Sequence, residues 1–439
     1  MQALIVAIGS HGDIHPMIGI GAELRRRGHS VTFVASPYFE SLARRHRFDF
    51  APLGKSEDFT EGLKDPDLWH PIRGFKAVFE RGVLPLVRPT YDAIASRYVP
   101  GQTVVIAHSI AFGARLAQDA LGVPTITIQL APAVFRSVHE APKLPGLFMP
   151  RWMPKPIKRF NWKMIDVLVA DRLLAPPINA MRKEFDLPPV KGILNEWWLS
   201  PQLVLGLFPE WFAKPQPDWP KQLKLTTFPL YDEDDVEPIS RQLDVWVSMG
   251  ERPIVFTPGS AMTFGQDFFR ESVEACKRLN KRGILLSRHR EHIPPNLPAT
   301  VQHFDYVPFS RILPRAAALV HHGGIGTTSQ ALAAGCPQLI MPMAHDQLDN
   351  AHHVADLRAG DWIKRSRYRA KNIAVALAKL VNNPVMKHHC ERAAGNFVGV
   401  KSMGRTCDEI EMFALTTPPR PAHRASAANT PSSVSAAST

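Results

Sequence analysis

Cysteine is scarce in this 439-residue chain: there are four, Cys276, Cys336, Cys390 and Cys407, far apart and with no C-x-x-C pair. That spacing argues against both a disulfide framework and a structural zinc site. Long apolar runs are missing as well, and none approaches the roughly 18 to 20 residues that span a bilayer. The opening stretch MQALIVAI lacks the basic start and cleavage site of a secretory leader, so it reads as a buried first strand and the expected compartment is the cytoplasm. Nucleic-acid signatures are also missing. The net charge is +12, yet the 52 basic residues are scattered and form no zinc finger, RNP-type aromatic motif or basic heptad helix. Charge of that sign draws anionic partners without identifying them, and nucleic acid is not expected among them.

What is present is the make-up of a globular protein. Hydrophobic residues at 45% and charged residues at 21% can build cores, and the length exceeds one ordinary core, so two domains of about 150 to 200 residues are expected. Apolar runs at 3–8 and 31–35 flank a helical stretch at 14–27 that stops at Gly28. The rhythm returns at 103–107, 111–121 and 124–128, and a second series has runs at 254–257, 283–287, 318–321 and 338–342. Strands alternating with helices imply parallel sheets covered on both faces. Residues 140–165 break the rhythm with Pro, Lys, Arg, Trp and Phe. The resulting division is 1–230, an acidic linker at 231–240, 241–415, and a Pro-, Ser- and Ala-rich tail at 416–439 that cannot repay ordering.

The chemistry concentrates where strands end. The run LVHHGGIGTTSQALAAG (319–335) sets small residues between a strand and a helix. Gly323, Gly324 and Gly326 allow close backbone approach, Thr327 and Thr328 offer hydroxyls, His322 adds a polar contact, and free N–H groups at the helix start suit a phosphate. The bland alternative is a capped tight turn. Its neighbours FTPGS (256–260), FDYVP (304–308) and MPMAHDQLDNA (341–351) also follow strands, and in an open parallel sheet such segments converge on one crevice. In the first half, GSHGDIHP (9–16) follows the first strand, with Asp13 the expected helix N-cap.

This ordered set, Gly-Ser, Val-Pro, His-Gly-Gly-x-Gly-Thr, Gly-x-Pro and Asp-Gln-x-x-Asn-Ala, resembles the family 1 glycosyltransferases, which have the GT-B fold of two facing Rossmann-like domains around a cleft. The resemblance implies an α/β chain whose first domain binds the acceptor and whose second binds a nucleotide-sugar donor. It implies donor contacts from Gly259, Ser260, Tyr306, Val307, His322, Gly324, Gly326, Thr327 and Gln330, with Asp346 and Gln347 on the sugar hydroxyls. It also places a general base on the first turn. Asp13 fits that place, with His11 and His15 as rivals, and attack opposite the departing nucleotide would invert the anomeric centre. Where plant members orient a catalytic His with an Asp, this chain has His108 on the acceptor side. Many members carry Glu at the position of Gln330, where it accepts from both ribose hydroxyls. Its absence here favours a deoxyribose donor, a dTDP-sugar over a UDP-sugar.

Metal chemistry and cofactors are not expected. The pairs Asp65/Asp67 and Asp232/Asp234 satisfy Asp-x-Asp, but such short acidic pairs in loops read as solvated charge. Further stretches, IGSxGD from residue 8, DPxLW (65–69), SPQ (200–202), LFPxWFA (207–213), DWP (218–220) and FPL (228–230), are similar to the rhamnosyltransferases of rhamnolipid synthesis. That likeness implies a lipid acceptor, with UDP-glucose-dependent lipid or sterol glucosyltransferases and a non-catalytic nucleotide-sugar-binding partner as alternatives. An anionic membrane surface would then be a partner for 140–165, where Trp152, Phe160 and Trp162 alternate with Arg151, Lys155, Lys158, Arg159 and Lys163. Contact would be peripheral, on the inner face of the membrane.

Overall fold

Strands buried on both faces need short runs of Val, Ile, Leu and Ala without polar alternation. Such runs become strands in the computed structural model of the protein, which describes residues 1–70, 72–233, 239–400 and 402–419. β1 (Gln2–Val6), β2 (Ser30–Ala35), β3 (Asp49–Pro52), β4 (Thr103–His108), β5 (Thr125–Gln129), β6 (Leu203–Gly206) and β7 (Leu223–Leu225) form one sheet, ordered β3-β2-β1-β4-β5-β6-β7. β8 (Ile254–Thr257), β9 (Gly283–Leu286), β10 (Val301–Phe304), β11 (Ala318–His321), β12 (Gln338–Ile340) and β13 (Gly360–Trp362) form the second, ordered β10-β9-β8-β11-β12-β13. Every pairing in both sheets is parallel.

Successive strand residues point to opposite faces, so each sheet feeds two apolar layers. Leu4 and Val6 join one cluster with Val34, Val105 and Phe112, whereas Ala3 and Ile5 join another with Ile14, Ile18 and Phe33. In the second sheet Ile254 and Phe256 pack on one side and Val255 on the other. Strand order reverses beside β1 and beside β8, the places where an open parallel sheet leaves a crevice at its carboxyl edge. Val6 is in register with Ala107, which makes the turn at 9–13 a neighbour of His108. His321 is in register with Thr257, which brings Gly259 and Ser260 beside His322.

Two parts of the layout differ from the sequence expectation. The last helix, Gly404–Thr416, falls in the stretch assigned to the C-terminal domain, yet it packs on the first sheet's helices. Cys407, Ile410 and Phe413 are buried with Ile14 and Leu24, and Arg27 Nη1 meets Asp408 and Glu411 at 2.6 Å each. The apolar spacing of that helix says that one face is buried but not against which partner. Residues 140–165 are an irregular loop followed by the helix Lys155–Ile165, which continues through a wide turn (Asp166–Ala170) into the helix Asp171–Lys183. Val138, Ala141, Met149 and Trp162 give this insertion a small core of its own. The expected linker and disordered tail fall partly outside the described residues, at 234–238 and 420–439.

Because Ile410 is fully buried where the last helix meets the first sheet, Ile410→Ala should destabilise the protein by about 2–5 kcal/mol. Urea unfolding would show the midpoint move to lower denaturant; an unmoved midpoint would mean that the helix is not docked there.

Candidate active site

The two crevices share one cleft of about 1740 Å³, lined from the first half by residues 7–16 and from the second by the loops after β8, β9, β10, β11 and β12. On the first wall, Ser10 and not Asp13 is the N-cap of the helix His11–Arg26, since Ser10 has extended backbone and Asp13 is already helical. Asp13 closes a capping box from the third helical position, its Oδ2 accepting the Ser10 backbone N–H at 2.8 Å. Gly9 is required for this. Its φ is +125°, and a Cβ there would lie 2.2 Å from Asp13 Oδ2.

Asp13 Oδ1 faces His108 Nε2 at 3.9 Å. The other nitrogen of His108, Nδ1, lies 3.1 Å from the Ile8 carbonyl. A carbonyl only accepts, so Nδ1 carries a proton, and Nε2 is the nitrogen turned toward Asp13. His11 lines the same cleft but is boxed by rings, with centroids 5.1 Å from Phe39, 5.5 Å from His15 and 5.7 Å from Tyr38. Burial first, then the charges of His15 and Arg288, hold its pKa down at about 3. His15 is taken up by Glu233, with Nε2 at 2.8 Å from Oε1.

On the second wall the chain turns at His322–Gly324 and enters the helix Ile325–Ala333. A Cβ on Gly259 or on Gly324 would sit 2.7 or 2.5 Å from the His322 ring, so two backbones press on that imidazole. Burial brings its pKa to about 4, which leaves it neutral near pH 7, and its Nδ1 has no partner among the described residues. Ser260, Gly324, Gly326, Thr327 and Gln330 all line the cleft beside it. The start of a helix aimed into a cleft is a ready anion site, suited to a phosphate group. Tyr306 and Val307 form the floor after β10; the Tyr306 hydroxyl donates to the Asp232 carbonyl, and Arg288 stands 5.4 Å over its ring.

Asp346 and Gln347 follow β12. Gln347 is narrower in capacity than expected, because its Oε1 already accepts from the backbone N–H of Met343 at 2.8 Å and of Ala344 at 3.1 Å. Its amide NH₂ is left to donate. Asp346 stands deep in the cleft, and Asn350 Nδ2 donates to its Oδ2 at 2.7 Å. Surrounding protein raises its pKa to about 6, against the pull of Asn350 and with help from the charges of Asp13 and Asp349.

The structure adds residues that the motifs did not single out. Arg288 directly follows β9, a position whose only signal is being next to a strand end. His345, at φ +57°, meets the Trp69 ring at 6.0 Å, which ties the loop 65–69 of the first domain to the donor side. The acidic pair Asp65 and Asp67 is spent on arginines: Asp65 pairs with Arg81, and Asp67 with Arg73 at 2.8 Å. Asp234 lies outside the described residues. Among the described residues, only His289, Glu291 and His292 bring three possible metal ligands within 4.8 Å, and the His289 ring there already contacts Glu291 at 3.0 Å.

The raised pKa of Asp346 has a definite sign. A carboxyl group titrating near 6 in the fold and near 3.8 in the unfolded chain binds more protons when folded, so its contribution to stability falls as pH rises from about 4 to about 6 and is then flat. Melting temperatures of wild type and Asp346→Asn should therefore diverge over that window, with wild type losing ground. Parallel curves would contradict the assigned environment.

Comparison with known proteins bears on the fold and the class of reaction. Residues 3–140 match the glycosyltransferase family 28 N-terminal domain, and residues 278–400 match the erythromycin biosynthesis protein CIII-like C-terminal domain. The O-mycaminosyltylonolide 6-deoxyallosyltransferase of Streptomyces fradiae is 26% identical over 95% of this chain and 98% of its own length. Among solved structures, the glycosyltransferase of kitacinnamycin superposes with a TM-score of 0.70 at 20% identity, over 94% of this chain and 99% of that one. The glycosyltransferase VinC, solved in complex with dTDP, gives 0.67 at 18% identity over 94% and 100%. With an N-terminal and a C-terminal domain matched in order, and 94% of the chain superposing on a glycosyltransferase, this protein is a hexosyltransferase of the GT-B fold that takes its sugar from a nucleotide-sugar donor.

Proposed function

We propose that the enzyme moves a deoxysugar, L-rhamnose in the first instance, from a dTDP-linked donor to a hydroxyl of a lipid acceptor such as a 3-(3-hydroxyalkanoyloxy)alkanoic acid, with inversion. The observation that carries this reading is the two-part character of the cleft. Its second wall carries Ser260, Arg288, Thr327 and Gln330 beside a helix start, whereas its other arm runs between Phe75, Phe79, Leu86, Trp162, Leu194 and Trp198. A sugar or peptide acceptor would leave that arm wet; an acyl chain would bury it at about 25 cal/mol per Å².

In this mechanism Asp13 takes the proton of the acceptor hydroxyl as that oxygen attacks the anomeric carbon. The bond from that carbon to the diphosphate oxygen breaks on the opposite face. Asp13 is favoured over His11 because the His11 ring is boxed by Phe39, His15 and Tyr38, whereas Asp13 spends only Oδ2 on the capping box and keeps Oδ1 toward the cleft. His108 Nε2, 3.9 Å from Asp13 Oδ1, would help to orient that carboxylate. The N–H groups at the start of the helix Ile325–Ala333, the Thr327 hydroxyl and an N–H of the neutral His322 ring would meet the charge growing on the departing dTDP. Asp346 and the Gln347 amide would hold sugar hydroxyls.

The thymidine choice rests on Gln330, which faces the cleft where a carboxylate would accept from two ribose hydroxyls. It draws support from the deoxysugar transferase and the dTDP-bound VinC among the relatives. Mass spectrometry of a panel of dTDP- and UDP-sugars, each offered with a hydroxy-fatty-acid dimer, should give product from dTDP-rhamnose before UDP-glucose. Gln330→Glu should then shift the ratio of kcat/KM toward UDP-sugars by about fivefold. A wild type that prefers UDP-glucose would overturn the donor assignment.

Asp13→Asn keeps an acceptor for the Ser10 N–H and so keeps the cap. Turnover should still fall by about 10²–10⁴, while donor affinity by calorimetry stays within a few-fold. Equal turnover in variant and wild type would remove Asp13 from the chemistry.

A further inference from the structure

A lipid acceptor of this kind is sparingly soluble as a monomer, so how it reaches the cleft is a physical question about the surface around the acceptor arm. The insertion answers with an unusual distribution of side chains. In the run from Lys155 to Leu168, Ile157, Phe160, Met164, Val167 and Leu168 recur at helical spacing and make one stripe. Phe160 is 61% exposed, and Ile157, Val167 and Leu168 are each about half exposed. Beside that stripe Lys155, Arg159 and Lys163 recur every four residues, all exposed and with no ion pair among the described residues. The preceding loop adds Phe148 and Trp152, 71% and 76% exposed, with ring centroids 6.4 Å apart. Apolar side chains of this size are seldom left in water side by side without something that covers them.

The inner side of the same insertion belongs to the cleft. Leu147, Trp162 and Ile165 line it, Trp162 packs on Val138, Ala141 and Met149, and the Arg136 guanidinium lies 4.9 Å over its ring. Trp162 and Lys158, which by composition alone join the outward set, are therefore turned inward, and Arg151 pairs with Glu140. Ile72 marks the junction of the two sides. It lines the cleft, it is 71% exposed, and it sits against Gly146, whose Cβ would meet its side chain at 3.7 Å.

We infer that this face, carrying Phe148, Trp152, Ile157, Phe160 and Leu168 with Lys155, Arg159 and Lys163, docks on an anionic lipid bilayer, and that the acceptor passes from the bilayer past Ile72 into the apolar arm without crossing water. The inference rests on the lipid-acceptor reading above. Charge selects the occupant: a stripe of unpaired cations next to an apolar stripe matches anionic headgroups over acyl chains. The rim at Ile72 makes the docked surface continuous with the acceptor arm. Aromatics at the loop would sit at headgroup depth with the helix lying in the interface plane.

The test uses the full-length enzyme with vesicles of phosphatidylcholine alone or mixed with phosphatidylglycerol, and two variants outside the catalytic and donor residues. Wild type should float with the mixed vesicles and lose binding as salt is raised. Lys155→Gln/Arg159→Gln/Lys163→Gln should lower partitioning by about a hundredfold, and Trp152→Ala/Phe160→Asp should abolish it. On a long-chain acceptor held in vesicles both variants should lose kcat/KM in proportion, whereas on a short-chain acceptor dissolved in buffer they should match wild type. Wild type that ignores the vesicles, or variants that equal it on the vesicle-held acceptor, would overturn the docking face. Loss of turnover on the dissolved short acceptor by the variants would likewise overturn it, by showing a fault in the cleft. If wild type itself fails on every hydroxy-acyl acceptor, dissolved or vesicle-held, it is the acceptor reading that falls.

Discussion

The reversal of strand order beside β1 and beside β8 is the constraint on which the rest depends. In each sheet two chain segments leave neighbouring parallel strands in opposite directions, and the gap between them is the one place at the sheet edge where backbone and polar side chains stand open without breaking a core. The first gap holds Asp13 and His108, brought together by the β1–β4 register; the second holds Ser260 and His322, brought together by β8–β11. Neither gap alone can carry out transfer. In the proposed mechanism a base needs an anion-binding wall opposite it, and the two carboxyl edges share one cleft.

Electrostatics in that cleft are arranged by burial more than by ion pairing. His11 on the first wall and His321 and His322 at the β11 turn are all pushed to pKa values of about 3 to 4, so these three imidazoles carry no charge near neutral pH. The field toward a diphosphate then comes from helix N–H groups and from Arg288, which are fixed before any ligand arrives. Asp346 moves the other way, to about 6, because burial penalises its charged form, with the charges of Asp13 and Asp349 adding to the shift. Such preset groups cost stability where they sit, and the buried strands behind them supply the rigidity that holds them in place.

Much of this was legible in residues alone, and the limits have physical causes. Period-free apolar runs marked β1, β2, β4, β5, β8, β9, β11 and β12 to within about two residues, because strands covered on both faces leave no other pattern. β3, β6, β7, β10 and β13 were harder: they are short and lie toward the sheet edges. The segments at 256–260, 304–308, 319–335 and 341–351 stood out because they follow strands in a fixed order, and the cleft brings them together. What a linear reading could not see were contacts between distant residues. Ser10 displaces Asp13 from the N-cap by backbone angle, the Gln347 oxygen is claimed by its own loop, and the last helix crosses to the first domain. Trp162 and Lys158 looked outward by composition, and only packing on Val138 and Met149 turned the tryptophan in.

The central claim is direct, in-line displacement at the anomeric carbon by a hydroxyl that Asp13 activates, without a glycosyl-enzyme intermediate. The most direct measurement is the anomeric configuration of the product, read from the one-bond carbon–hydrogen coupling in NMR with a donor of known configuration. The account predicts a product of opposite configuration to the donor from the first turnover. Retained configuration would require two displacements and a nucleophile on the enzyme, and would contradict it.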